Sequence, residues 1–167
     1  LYGEGGSFRT FALRGAQSTG GDNLRGLLGF DLTATRGDFT YINDQGTLFE
    51  GSEADDEWVV RENNHSYQGS GILKLGWRPL AGLEIKALEL VTLQQSGVPG
   101  QGVTQTSDTA YQRLKSLTGL SLRYRPANAV YQIALAPYIS YGLSELSNPL
   151  GEAALARGAF EDTILSA

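Results

Sequence analysis

The chain has 167 residues, no cysteine and a formal net charge of -5. The missing cysteine excludes disulfide frameworks, thiol catalysis and cysteine-ligated zinc, and the acidic balance argues against a general nucleic-acid binder. No apolar run approaches the roughly 18 residues of a transmembrane helix; transmembrane strands alternate instead, and alternation averages to a bland mean hydropathy such as the -0.20 found here.

Residues 1–5 read as the end of a strand, and Gly5-Gly6-Ser7 as a tight reversal. A strand over 8–16 puts Phe11 and Leu13 on one face and Thr10, Ala12 and Arg14 on the other. Residues 18–23 have turn composition. The stretch 24–41 carries the clearest alternation. Leu24, Gly26, Leu28, Phe30, Leu32 and Ala34 form an apolar face, with Arg25, Leu27, Gly29, Asp31, Thr33 and Thr35 opposite. A strand of about a dozen residues exceeds the usual five or six and suits a tilted membrane crossing, which takes about 9–11.

Residues 42–66 lack a period and predict a long acidic loop, with Asp44, Glu50, Glu53, Asp55, Asp56, Glu57 and Glu62 against Arg61 alone. Alternation returns with Tyr67, Gly69, Gly71, Leu73, Leu75 and Trp77 facing one way and Gln68, Ser70, Ile72, Lys74, Gly76 and Arg78 the other. After a turn at 79–82, residues 83–94 form an impure strand. Glu89 falls among Leu83, Ile85, Val91 and Leu93 while Leu88 and Leu90 fall opposite, and a β-bulge is expected to repair the register. A second long loop covers 96–110. Leu114, Leu120, Leu122 and Tyr124 then alternate against Arg113, Lys115, Ser121, Arg123 and Arg125, and 126–128 is a tight turn. The next strand, with Tyr131, Ile133, Leu135, Ile139 and Tyr141 on its apolar face, is interrupted by Pro137, which cannot donate a ladder hydrogen bond. A third long loop covers 148–162, and another strand begins at 163–167.

Short turns therefore alternate with long loops, the pattern of an up-and-down meander with unequal rims. Strand cations fall mostly opposite the Leu and Phe stripe, and Trp77, Tyr124 and Tyr131 fall on the apolar face beside short turns, where an interfacial aromatic girdle sits. The predicted fold is all-β. It is an antiparallel up-and-down transmembrane β-barrel segment of about six full strands plus partial strands at both ends.

Several stretches carry a family resemblance: Gly5-Gly6-Ser7-Phe8-Arg9-Thr10; Thr35-Arg36-Gly37-Asp38-Phe39-Thr40-Tyr41 with Asn43-Asp44-Gln45-Gly46-Thr47; Arg61-Glu62-Asn63-Asn64; Leu73-Lys74-Leu75-Gly76-Trp77-Arg78-Pro79; Gly97-Val98-Pro99-Gly100; and Asn148-Pro149-Leu150-Gly151-Glu152. Together they resemble the amino-terminal part of the barrel of a TonB-dependent outer-membrane receptor, closest to cobalamin-receptor-like and siderophore-receptor-like members. The resemblance spans nearly the whole chain, 1–167, and implies a piece of a larger barrel of about 22 strands. It implies a location in the bacterial outer membrane and active uptake of a scarce small-molecule solute, such as a metal chelate or cobalamin. The implied partners are lipid, a plug domain, the remaining strands, and TonB engaged through an N-terminal box; plug and box are absent here. The alternatives are a passive porin-like channel and a soluble β-sandwich binding module, which would bury its apolar face on a second sheet.

The chemistry-bearing residues point to no enzyme. His65 is the single histidine, no Gly-x-Ser-x-Gly elbow accompanies it, and Asn64-His65-Ser66 is a common chance match to a glycosylation sequon. In a water-filled lumen Arg25, Lys74, Arg113, Lys115 and Arg123 would attract an anionic solute or hydrogen-bond a plug. No cofactor is expected. Asp44, Asp55, Asp56 and Glu57 offer hard oxygen ligands to calcium, but their spacing matches no EF-hand, and a solvated loop is the simpler reading.

Overall fold

A computed structural model describes residues 1–45, 56–128, 130–152 and 158–166. The described residues contain strands and no helix. The strands are β1 (Tyr2–Gly6), β2 (Thr10–Gly20), β3 (Leu24–Thr35), β4 (Thr40–Asn43), β5 (Glu57–Val60), β6 (Ser66–Leu80), β7 (Leu83–Gly97), β8 (Ala110–Tyr124), β9 (Ile133–Leu135), β10 (Tyr138–Asn148) and β11 (Gly158–Ser166). The main sheet runs β1-β2-β3-β6-β7-β8-β10-β11, each pair antiparallel, with β9 on the end of β8. Strands β4 and β5 form a separate hairpin inserted between β3 and β6. The sheet is open: β1 and β11 are its edges and do not pair with each other.

Period-2 alternation sets the two faces, and the register aligns them from strand to strand. Leu24 pairs Trp77, Trp77 pairs Ile85 and Ile85 pairs Leu122. Four more rows follow on the same face, ending with Leu32, Gly69, Leu93, Leu114 and Leu143. From Leu24 to Leu32 the apolar band measures about 27 Å along the strand at the usual rise per residue. The next row, Ala34, Tyr67, Gln95, Gln112 and Glu145, is largely polar. Nothing in the described structure covers the band. Leu28 is 55% exposed, Leu32 47% and Trp77 50%, and Ala12 is the one buried hydrophobic residue among those described.

Four expectations change. The stretch 24–41 is not one strand: β3 stops at Thr35, and the chain turns away through Gly37 at a φ of 62°. A Cβ at Gly37 would lie 2.3 Å from the Asn64 carbonyl oxygen, so glycine lets the two loops touch. Residues 42–66 are not wholly irregular, because β4 and β5 pair from Thr40–Val60 to Asn43–Glu57. No bulge occurs at Glu89: β7 pairs β8 without a shift, and the irregularity lies between Trp77 and Leu80 of β6. Glu89 stays on the apolar face because Ser116 and Thr118 of β8 donate hydroxyl hydrogen bonds to its carboxylate at 2.7 and 2.5 Å. Lastly, the third long loop is shorter than expected, because β11 begins at Gly158. The interruption expected at Pro137 does occur and separates β9 from β10, although the Pro137 carbonyl still accepts from the Leu120 amide at 3.0 Å.

Candidate functional site

The face opposite the apolar band collects the strand cations. The register places Arg25 of β3, Lys74 of β6, and Arg113, Lys115 and Arg123 of β8 all on this face. Of the other charges there, some are paired, while Glu4 of β1 and Asp162 of β11 share the face and form no ion pair with a described residue. Arg14 binds Asp31 through Nε, and Arg78 and Lys86 share Glu84 at 3.0 and 2.9 Å. Arg25, Lys74, Arg113, Lys115 and Arg123 form no ion pair with any described residue. Five unpaired cations against two unpaired carboxylates leave this surface positive in a chain that is acidic overall. Arg125 lies just beyond β8, where its backbone N–H donates to the Gly82 carbonyl at 2.8 Å and closes the β6–β7 turn.

Sequence reasoning treated this face as polar and missed its apolar middle. Leu27, Ile72, Leu88, Leu90 and Leu117 sit there half-buried, less exposed than Leu24, Leu28, Leu32, Leu73, Leu75, Leu93 and Leu120 of the opposite band. The signal was present in the Leu88 and Leu90 that break the alternation of β7, but an expected bulge explained them away.

At the long-loop end the connections are sewn together. The Asn63 side chain donates to the Thr109 carbonyl at 2.7 Å and to Thr106 Oγ1 at 3.0 Å, and Asn63 itself adopts a φ of 50°. Thr106, Thr109 and Asn148 are fully buried, and Thr109 donates to Asn148 Oδ1 at 3.0 Å. The β4–β5 hairpin is fastened to the 98–105 loop. Tyr41 donates to the Gly102 carbonyl at 2.6 Å, Arg61 Nη2 to the Gly100 carbonyl at 2.5 Å, and Gln105 Nε2 to the Val60 carbonyl at 3.0 Å. Glu152 accepts from the Ser107 and Asp108 amides, both at 2.9 Å, and from Ser107 Oγ at 2.6 Å. Those donors hold the Glu152 carboxyl below the ordinary glutamate range, the Asp108 amide having the largest effect.

Trp77 and Tyr124 lie on the apolar face at the short-turn end, Trp77 beside Leu24 and Ile85 and Tyr124 beside Leu83 and Ile133. Tyr131 is exposed and lies outside any strand, since the chain between β8 and β9 is irregular. Of the calcium candidates, Asp44, Asp56 and Glu57 lie at or next to the Asn43–Glu57 end of the β4–β5 ladder, and Asp55 falls outside the described residues. Among the described residues no three acidic or histidine side chains gather in a metal-binding group. His65 packs its ring 5.6 Å from Tyr67, and the Asn64 amide of the sequon is engaged with the Gly37 carbonyl at 2.8 Å. No protein-family model, curated protein or solved structure matches the chain.

Proposed function

We propose that the chain is part of the barrel of a TonB-dependent receptor in the bacterial outer membrane and serves active uptake of a scarce solute. The observation that carries this reading is the five-row apolar band, exposed on one face of a single sheet whose other face is basic. Burying such a band is the main force that folds a soluble domain, and here it has no apolar partner among the described residues. A lipid bilayer supplies one. The band of about 27 Å along the strands is comparable with the roughly 25 Å apolar belt of outer-membrane barrels, and Trp77, Tyr124 and Tyr67 stand near its two margins. The basic face then lines water, where unpaired cations keep their hydration and stand ready for a plug or an anionic solute. The reading requires the edges β1 and β11 to pair with further strands, because bare edges are not tolerated in hydrocarbon.

The first test is extraction from membranes. Release by alkaline carbonate without detergent would sink the membrane reading; retention until detergent is added is the expected result. Energy coupling is tested separately in cells carrying the whole barrel. Dissipating the proton-motive force should abolish solute uptake, whereas uptake that persists would mark a passive channel.

A further inference from the structure

At the short-turn end of the basic face the sheet carries a cavity of about 610 Å³, lying over β3, β6, β7 and β8 and reaching the break at Pro137. That volume falls within the few hundred to about 1,000 Å³ usual for small-molecule sites. Two adjacent rows of the sheet form its base. One contains Arg25, Gly76 and Lys86, and the next contains Leu27, Lys74, Leu88 and Gly119. Gly76 therefore lies between two cations, with Lys74 one row away. A Cβ at Gly76 would meet nothing within 4 Å, so the glycine leaves open space rather than a backbone contact.

The charges around the cavity are unequal. Arg25, Lys74, Arg78 and Lys86 line it against Asp22 and Glu84, and Glu84 is already held by Arg78 and Lys86. Arg25 and Lys74 are left without a carboxylate among the described residues. The rest of the lining is mainly carbon: Leu27 and Leu88 on the base, Pro137 and the ring of Tyr138 on the far wall. An inorganic anion would leave that carbon surface unused, and a neutral hydrocarbon would leave the two cations unused.

We propose that this cavity is a binding site for a small organic acid. The anionic group sits over Gly76 between Arg25 and Lys74, and the apolar body lies along Leu88 and Gly119 toward Pro137 and Tyr138. The inference rests on the reading of this face as water-filled, and it adds a specific site and ligand class to it. Charge-assisted hydrogen bonds fix the head, and burial of the body supplies the remaining affinity.

The test is a titration of the purified protein with its full complement of strands, in neutral-lipid nanodiscs or in buffer as extraction dictates, with 2-naphthoate and its neutral counterpart 2-naphthamide. Naphthoate should bind at least tenfold more tightly. Gly76→Phe, which fills the cavity without altering charge, should weaken naphthoate binding at least tenfold. Lys74→Gln, at an exposed position, should weaken naphthoate by a similar factor and leave naphthamide unchanged. Equal binding of the two probes, no measurable naphthoate binding, or naphthoate binding indifferent to both substitutions would each overturn the site. Far-UV circular dichroism checks that each variant keeps its strands, and Lys74→Gln still decides the matter if Gly76→Phe does not fold. A chain that proves soluble without detergent would remove the membrane reading while leaving this titration able to find or reject the site.

Discussion

Asn63 shows how one side chain organises the long-loop end. Its amide nitrogen serves acceptors from two parts of the 98–109 segment, and its left-handed backbone is one that asparagine tolerates better than most residues. Asn63→Ala removes both hydrogen bonds and leaves the buried Thr106 and Thr109 under-satisfied. The expected loss is about 1–3 kcal/mol of local stability, seen as faster hydrogen exchange in 98–109 with little change in the sheet. Glu152 works through charge. A carboxyl whose folded pKa is depressed contributes stability above its unfolded value, near 4.3, and loses that contribution as pH falls through the folded value. The contact between Glu152 and the 107–109 turn should therefore be intact at neutral pH and released only in acid below the ordinary glutamate range. The Ser107 and Asp108 amide proton shifts report it, and Glu152→Ala should give the released spectrum at pH 7. An acid-insensitive spectrum in the unsubstituted protein would remove the carboxylate from this role.

Elements differ in how they earn their place. The long strands β6, β7 and β8 pair along nearly their whole length, so their stability is distributed over many ladder bonds. The β4–β5 hairpin has four residue pairs and would be marginal alone. It stays in position through Tyr41, Arg61 and Gln105, with the Arg61 guanidinium also 5.6 Å from the Tyr41 ring centre. Combining Tyr41→Phe with Gln105→Ala should free the hairpin and speed limited proteolysis between β4 and β5 several-fold, while β6–β8 stay protected. Unchanged cleavage would mean that the fastening contributes nothing. At the other end, the β6–β7 turn depends on Gly82, at a φ of 81°, where a Cβ would lie 2.1 Å from the Arg125 carbonyl oxygen. The sequence marked this turn through Pro79-Leu80-Ala81-Gly82, but the contact with Arg125 came only with the fold.

For the molecule as a whole, what covers the apolar band decides its behaviour. The membrane reading predicts a dependence on depth. Leu28→Arg in the middle row should destabilise the barrel in bilayers by about 2–4 kcal/mol, and Ala34→Arg, in the polar row next to the band, by about 0–1 kcal/mol. Equal effects in a folding titration into vesicles would argue for a protein cover instead. Glu89 with Ser116 and Thr118 is the charged cluster within the band, which also holds the uncharged polar Gln17, Thr19 and Thr163 near its edges, and the hydrogen bonds to Glu89 lower the cost of its carboxylate there.

Strand existence and facing were written into the sequence because they depend on local alternation: Leu24 to Ala34 and Tyr67 to Trp77 each dictate a face whatever they pair with. The five cations, too, could be assigned to one face strand by strand. Register and long-range contact could not be read this way. Whether Glu89 shifted by a bulge or stayed among leucines was decided by the hydroxyls of β8, which lie far along the chain. The end of β3 at Thr35 was decided by Gly37 meeting Asn64, and the β4–β5 hairpin by anchors in the 98–105 loop. The cavity over Gly76 exists because four strands bring glycines and cations into adjacent rows. Alternation fixes which way a side chain points; only pairing fixes what stands beside it.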